Sequence, residues 1–374
     1  MAKYVKRAVI RPWGINPPRV TPNIWTNILD PEYIRRETER QLQGRLREDC
    51  ALVFSALKAM ENIKEYFIEW DEEDGYHPEL YNACFTPISQ RWTGQLTKLA
   101  IKIPPQLLNS FVQIVSSVHL RNLETLEYHF CTGRMSLQDI NHIHDGFVVF
   151  VNNLKDSLEY ISFISTYTSL NLDITWIYNS LGRFPKLRSI SLSAPFDGPH
   201  LSDPLAFVRF LERHRSTLKD ISVLTSRCTL RSTPSDRESN DWIQKILISV
   251  HRPFPQLQSI ALAMRPLRTP LTNVSNFLKN HMSTLDSLIL ADRTLKRWEL
   301  EGLLETSSGP LDLRHLRVNL DEISLRILCY LAYKIPGLTS LDIECSSIEN
   351  CHSDRDFVSY LSFISLFLFL TCVS

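Results

Sequence analysis

The hydrophobic positions of this chain fall into one recurrent phrase: an apolar residue, two variable residues, a second apolar residue, one variable residue and a third apolar residue. It occurs as Ile63-Tyr66-Ile68, Leu96-Leu99-Ile101, Leu123-Leu126-Tyr128, Leu158-Ile161-Phe163 and Leu187-Ile190-Leu192. It continues as Leu218-Ile221-Val223, Leu257-Ile260-Leu262, Leu285-Leu288-Leu290, Leu313-Leu316-Val318 and Leu338-Leu341-Ile343. A leucine-rich chain yields such matches by chance, so spacing and wording must decide. Successive phrases start 33, 27, 35, 29, 31, 39, 28, 28 and 25 residues apart, a quasi-regular period near thirty, which is the range of stacked repeats. The wording also recurs. Phe184-Pro185-Lys186-Leu187-Arg188-Ser189-Ile190 returns as Phe254-Pro255-Gln256-Leu257-Gln258-Ser259-Ile260, and Ser216-Thr217-Leu218 as Ser283-Thr284-Leu285. Ile335-Pro336-Gly337-Leu338 varies the first of these.

The end of each phrase alternates with period two, the signature of a short half-buried strand. Before most strands the period changes to that of a helix, as in Leu107-Leu108-Phe111-Ile114-Val115, Leu205-Val208-Leu211 and Trp242-Ile243-Ile246-Leu247. Val274-Phe277-Leu278 and Leu325-Leu328-Leu331 follow the same spacing. A unit of about thirty residues cannot bury its own apolar face, but stacked neighbours bury it jointly. The pattern therefore predicts an α/β solenoid shaped as a horseshoe, with parallel strands on the concave face and helices on the convex face.

These phrases resemble leucine-rich repeats, and more narrowly the degenerate repeats of fungal F-box-like proteins, over roughly residues 46–350. Two departures stand out. Three positions after the last apolar residue the family carries an Asn that forms a ladder under the turns. Here that position holds Asp71, Pro104, Cys131, Thr166, Pro195, Ser226, Arg265, Arg293, Asp321 and Ser346. Cys, Thr and Ser can substitute in part, Pro and Arg cannot, so irregular turns are expected. The Leu-Pro-x-Glu opening of an F-box is also missing. The chain starts Tyr4-Val5-Lys6-Arg7-Ala8-Val9-Ile10-Arg11-Pro12, similar to the first strand after an F-box. The resemblance implies a non-enzymatic scaffold for protein–protein interaction, with substrate selection for an SCF-type ubiquitin ligase as its process. It also implies a cullin-ligase adaptor among the partners and a cytoplasmic or nuclear location.

Three regions follow. Residues 1–45 hold the first strand, a Pro-rich irregular stretch and the start of a helix. That helix is predicted over 31–60 from Pro31, the Glu32/Arg36 pair and a stripe of Leu46, Cys50, Val53, Leu57 and Met60. Residues 46–350 form the solenoid. Residues 351–374 end in Phe357–Val373, seventeen residues without a charge. A helix of that length spans about 25 Å, short of the roughly 30 Å hydrocarbon core of a bilayer. The preferred reading is a helix capping the open end of the stack. A truncated or misjoined repeat is a second reading, and a membrane-tethered interaction protein anchored by this segment is the rival function. The basic N-terminus, Lys3, Lys6, Arg7, Arg11 and Arg19, is broken by prolines and lacks the Ser-rich character of a transit peptide.

Composition narrows the function. Lys+Arg and Asp+Glu both number 41, a neutral balance that argues against a nucleic-acid partner. Hydrophobic residues at 44% argue against wholesale disorder. No GxG occurs, so phosphate-cradling loops are missing and no cofactor is expected. None of the eight cysteines forms a CxxC pair, and they read as reduced thiols, mostly in a core. The segment Asp139–Asp145 holds His142 and His144, a spacing that suits one face of a strand but not of a helix, and it reads as a polar loop or helix end rather than a metal site. Cys345, Cys351 and His352 lack a second ligand pair. GxSxG and HExxH are absent, so a hydrolase on an unrecognised fold comes third. The acidic run Glu69–Asp74 reads as a solvated turn or a docking patch, and residues 225–241 as a mobile polar insertion.

The most informative surface comes from strand alternation, since residues between the apolar positions face the concave side. Candidate protein-binding residues are Glu65, Phe67 and Lys98 at one end, and His315, Arg317 and Asp342 at the other. Between them lie Ser189, Ser191, Asp220, Ser222, Ser259, Ser287 and Ile289, a trough of mostly short side chains. Short side chains also ease strand packing. Exposed Ile164, Leu224 and Ile289 would favour binding if they cluster.

Overall fold

The structure is a computed structural model that describes residues 4–11, 31–70, 78–116, 118–131, 137–165, 173–195, 200–226, 236–265, 267, 270–305, 309–348 and 368–370. It divides into two compact units, Met1–Leu158 and Glu159–Ser374. In the first, strands β1 (Arg7–Ile10), β2 (Glu65–Glu69), β3 (Lys98–Lys102) and β4 (Thr125–Phe130) pair in parallel in chain order. Helices α1 (Pro31–Ala59), α2 (Pro78–Gln90) and α3 (Pro105–Ser116) connect them, and α4 (Leu137–Asn153) follows.

The second unit repeats the scheme. Strands β5 (Tyr160–Ser165), β6 (Ser189–Ala194), β7 (Asp220–Thr225), β8 (Ser259–Ala263), β9 (Ser287–Leu295), β10 (His315–Ile323), β11 (Ser340–Ile348) and β12 (Leu368–Leu370) form one parallel run. Helices α5 (Thr175–Ser180), α6 (Pro204–Arg213), α7 (Asp236–Ser249), α8 (Thr272–Lys279), α9 (Arg297–Leu304) and α10 (Leu325–Lys334) join consecutive strands from β5 to β11.

All three apolar residues of every phrase are buried, from Ile63, Tyr66 and Ile68 to Leu338, Leu341 and Ile343. One backbone device fixes the register from repeat to repeat. The carbonyl just before each of strands β1–β3 and β5–β10 accepts two N–H groups from the following repeat: Lys6 O from Lys64 and Glu65, Arg188 O from Lys219 and Asp220, Gln258 O from Asp286 and Ser287. Within each unit a phrase is thereby tied to the repeat before it ahead of the strand ladder, and the aliphatic positions stack in line.

Between sheet and helices, the first unit packs aromatic rings in a chain: Tyr81–Phe85 tilted at 4.5 Å, then Phe85–Phe111 at 5.1 Å and Phe111–Phe150 at 5.5 Å between centroids, both edge to face. Helix α1 uses the predicted stripe, with Leu46, Cys50 and Leu57 buried and Val53 and Met60 half-buried, and Arg36 pairs with Glu32 at 3.2 Å. Two predicted stripe residues differ. Leu205 and Leu325 are exposed at the first turns of α6 and α10, where Pro204 with Phe207, and Ile327, take the inward positions.

The recurring Ser-Thr-Leu phrase closes a helix through a histidine. His214 Nε2 accepts the Phe184 N–H at 2.9 Å, so Nδ1 carries the proton and donates to Phe210 O at 2.8 Å. Thr217 Oγ1 donates to His214 O. One wording later, His281 Nδ1 lies 2.8 Å from Phe277 O, Thr284 Oγ1 donates to His281 O, and Phe254 packs on the ring at 5.6 Å. Burial, together with the nearby Arg213 and Arg183, holds the His214 pKa down to about 4 against the pull of the Phe210 carbonyl. Burial lowers that of His281 too.

The strands β9, β10 and β11 run nine residues each, longer than the phrase predicts. The β9–β10 register jumps between Val318↔Leu290 and Asn319↔Thr294, a bulge in which Asp292 adopts φ +67°. Its carboxylate accepts both the backbone N–H (3.1 Å) and the hydroxyl of Thr225 at the end of β7. The local hydrogen bonding that Asp offers eases an otherwise costly left-handed conformation.

The sequence reading assigned two further segments differently. Residues 236–241 of the expected insertion belong to α7, while 227–235 lie outside the described residues. Leu368–Leu370, expected as helix, form β12 on the edge of β11, while 351–367 and 371–374 lie outside the described residues. Among the described residues no helix is long and apolar enough to cross a membrane.

Candidate protein-binding face

The strand faces opposite the helices bring the sequence-predicted residues into rows, because parallel pairing without slippage puts equivalent positions side by side. In the first unit Arg7, Glu65, Lys98 and Thr125 are register neighbours, and Val9, Phe67, Ala100 and Glu127 form the next row. Glu65, Phe67 and Lys98 therefore meet. Phe67 lies between two cations, with Arg7 4.5 Å and Lys98 5.0 Å from its ring centroid. Charges alternate across the strands. Arg7 lies 3.8 Å from Glu65, and Glu69 takes Arg11 at 2.9 Å and Lys102 at 3.2 Å. Burial raises the Glu69 carboxyl, but the hydrogen bonds from Arg11 and Lys102 outweigh it and leave it below its ordinary range. A hydrogen bond from His129, at 2.9 Å, does the same for Glu127. Such half-exposed pairs contribute only about 0–1 kcal/mol each, so they order the surface more than they stabilise it.

In the second unit one row reads Ser189, Asp220, Ser259, Ser287, His315, Ser340, and the next reads Ser191, Ser222, Ala261, Ile289, Arg317, Asp342. The ten predicted residues of this unit thus occupy two adjacent rows. Ser189, Ser191, Asp220, Ser222, Ser259, Ser287 and Ile289 are half-buried, a floor of small side chains with Asp220 as its acid. Burial raises the Asp220 carboxyl, and the neighbouring Lys219 opposes that. At one side the floor meets a charged fork, with Arg317 3.3 Å from Asp342 and 2.9 Å from Glu344. Ile164 and Leu224 lie on either side of Ser193 in a third row, whereas Ile289 stands in the second.

Sequence reasoning missed the support behind this face. Arg293, at a ladder position where Arg was judged unable to serve, reaches Leu267 O and the buried Glu299. Its guanidinium binds the preceding turn because Glu299 neutralises it, and Glu299 also accepts the Lys296 N–H at 2.9 Å. The linear signal was an Arg six residues before a Glu, too common to single out.

The helix side offers clefts of another kind. One of about 390 Å³ lies between the turns that follow α3 and α4, lined by Val115, His119, Arg121, Phe150 and Asp156 among others. A second, beside Asn179, Arg209, Glu212 and Arg213, has its cations engaged: Arg209 holds Asp203 and Asn179, and Arg213 holds Leu181 O and Tyr178 O. His142 and His144 fall within helix α4. Among the described residues no group of three His, Cys, Asp or Glu side chains is placed to hold a metal ion. Cys345 is half-buried on β11, and Cys351 and His352 lie outside the described residues.

A parallel strand, a return helix and an aliphatic phrase of period near thirty, repeated through both units, define an α/β solenoid of the leucine-rich-repeat type. No protein-family model matches the chain, and no curated protein sequence matches it. Among solved structures, the chain is similar to one in a crystal structure of a yeast Rad7 and Elc1 complex, with a TM-score of 0.44 and 12% identity, over 84% of this chain and 77% of that one.

Proposed function

We propose that this chain is a protein-binding scaffold whose recognition surface is the exposed strand face, without chemistry of its own. The observation that carries the reading is the alignment of Ser189, Ser191, Asp220, Ser222, Ser259 and Ser287 into a floor of short side chains beside the Arg317–Asp342–Glu344 fork. A floor of this kind admits a partner's side chains closely, and a charged rim sets orientation more than affinity. The finer reading, substrate selection for a cullin-type ubiquitin ligase, rests on the sequence resemblance to F-box-like repeat proteins.

The test is affinity purification of residues 1–374 from a fungal cell, with mass spectrometry of stoichiometric partners. It is repeated with Ser191→Arg and Ser222→Arg together. These half-buried positions face solvent, so the thermal midpoint should stay within a few degrees while partner recovery falls at least tenfold. Unchanged recovery would sink the strand-face reading. Co-purification of a cullin adaptor with the wild-type chain supports the ligase reading. A stoichiometric partner without the adaptor leaves the scaffold and removes the ligase.

A further inference from the structure

In the second unit the segments 182–186, 212–217, 251–256 and 279–284 carry the chain from the ends of α5, α6, α7 and α8 toward the next strand. They stack side by side. The Phe184 N–H reaches His214 Nε2 at 2.9 Å, Arg215 donates to Pro253 O at 3.2 Å, and the Phe254 ring lies 5.6 Å from that of His281. Together they hold six Lys or Arg, at positions 183, 186, 213, 215, 252 and 279, against one acid, Glu212. In a chain with 41 charges of each sign, this edge concentrates the cations.

The excess is not used up inside the fold. Glu212 lines a cleft with Arg209 and Arg213, and Arg213 closes the end of α5. The acids in the row just before the strands have cations of their own: Glu159 takes Arg188 at 3.4 Å and Asp286 takes Arg314 at 4.0 Å. Among the described residues no carboxylate pairs with Arg183, Lys186, Arg215, Arg252 or Lys279. Lys279, in the last turn of α8, suits the helix dipole. The other four stand beyond the helix ends, where that field has faded.

We infer that this basic edge is a second interaction surface, which binds an acidic, Asp/Glu-rich segment of a partner protein. Charge complementarity selects the occupant. The cations come from consecutive repeats, so an extended acidic segment lying along the stack meets a cation at each repeat. Pro185, Pro253 and Pro255 fix the backbone of the turns that present them. The rings on these turns, Phe184 and Phe254, are buried and offer no face on which a base could stack, which favours a protein segment over a single-stranded nucleic acid. The surface lies on the turns rather than on the strand face, so it stands whether or not the strand-face reading does.

The test is fluorescence anisotropy of the full chain, in low salt, with a short fluorescein-labelled peptide of alternating Glu and Ser. The chain should bind it, and added salt should weaken the complex. Lys186→Glu, Arg252→Glu and Lys279→Glu together should weaken binding at least tenfold with the thermal midpoint within a few degrees, because all three side chains are exposed. Replacing the same three residues with Gln should give a smaller loss of the same sign, and gives the reading if the first variant misfolds. Arg45→Glu, Arg47→Glu and Arg326→Glu make the same change of net charge at exposed helix positions elsewhere and should leave binding within twofold. Failure of the wild-type chain to bind the peptide, or equal losses in the two Glu triples, overturns the inference. Tighter binding of an oligouridylate or of phosphatidylserine vesicles than of the peptide assigns the edge to nucleic acid or to a membrane and also overturns it.

Discussion

His214 and His281 end their helices in the same way, with the imidazole proton on the last-turn carbonyl and the ring against a phenylalanine that opens the preceding phrase. The arrangement needs a neutral ring, since His214 Nε2 must accept the Phe184 N–H. Above pH 6.5 the ring is neutral folded or unfolded, and its contribution is complete. As the pH falls from 6.5 toward 4 the unfolded chain takes a proton that the native ring refuses, so stability is lost across that window. The loss at pH 4 is about 3 kcal/mol for His214, from 1.36 kcal/mol per pKa unit. Urea unfolding of wild type and His214→Gln at pH 7.5, 6 and 4.5 checks it: the wild-type advantage should shrink with each step. An advantage independent of pH contradicts the argument. Arg293 and Glu299 make a second residue-scale prediction. Glu299 is 4% exposed, so Glu299→Gln leaves the guanidinium without its counter-charge and costs about 3 kcal/mol. Combined with Arg293→Met the cost should be less than additive, which a double-mutant cycle measures.

Helix α5 shows how an element too short to persist alone is held. Six residues fall well below the length at which an isolated helix is stable in water. Its start is fixed by the Asp173 carboxylate, which accepts the Thr175 N–H at 2.9 Å and the Ser202 hydroxyl. Its end is fixed by Arg213, which donates to the Tyr178 and Leu181 carbonyls at 2.6 Å each, a cation where the helix dipole favours one. Arg213→Met should raise amide exchange across 177–181 at least tenfold while β6 and β7 stay protected. Uniform acceleration would mean that Arg213 supports the whole unit rather than one helix. The bulge in β9 belongs to the same scale. It lengthens the strand beyond the phrase and lets Asp292 tie β9 to the end of β7 across β8.

For the whole molecule, the balance of 41 cations and 41 anions puts the isoelectric point at about 7.2. Many of these charges are spent on neighbours along the strand face, such as Glu69 between Arg11 and Lys102. Long-range repulsion between copies is therefore weakest at neutral pH. Light scattering in low salt should find the lowest solubility near pH 7 and an increase by pH 8.5. A minimum elsewhere would show that local patches rather than net charge govern association.

The aliphatic phrase and its period determined the repeating strand–helix unit, the thirty inward positions and the rows that face solvent. They could do so because side-chain alternation and helical spacing are local properties of the chain. The α1 stripe and the Glu32/Arg36 pair were readable for the same reason. Only the tertiary structure decided which row members meet, that Phe67 sits between Arg7 and Lys98, that His214 reaches thirty residues back to Phe184, and that Arg293 supports a turn where Arg was judged unable to. It also decided the bulge at Asp292 and the strand at Leu368–Leu370. These depend on partners brought together by stacking, at separations for which linear spacing carries no signal.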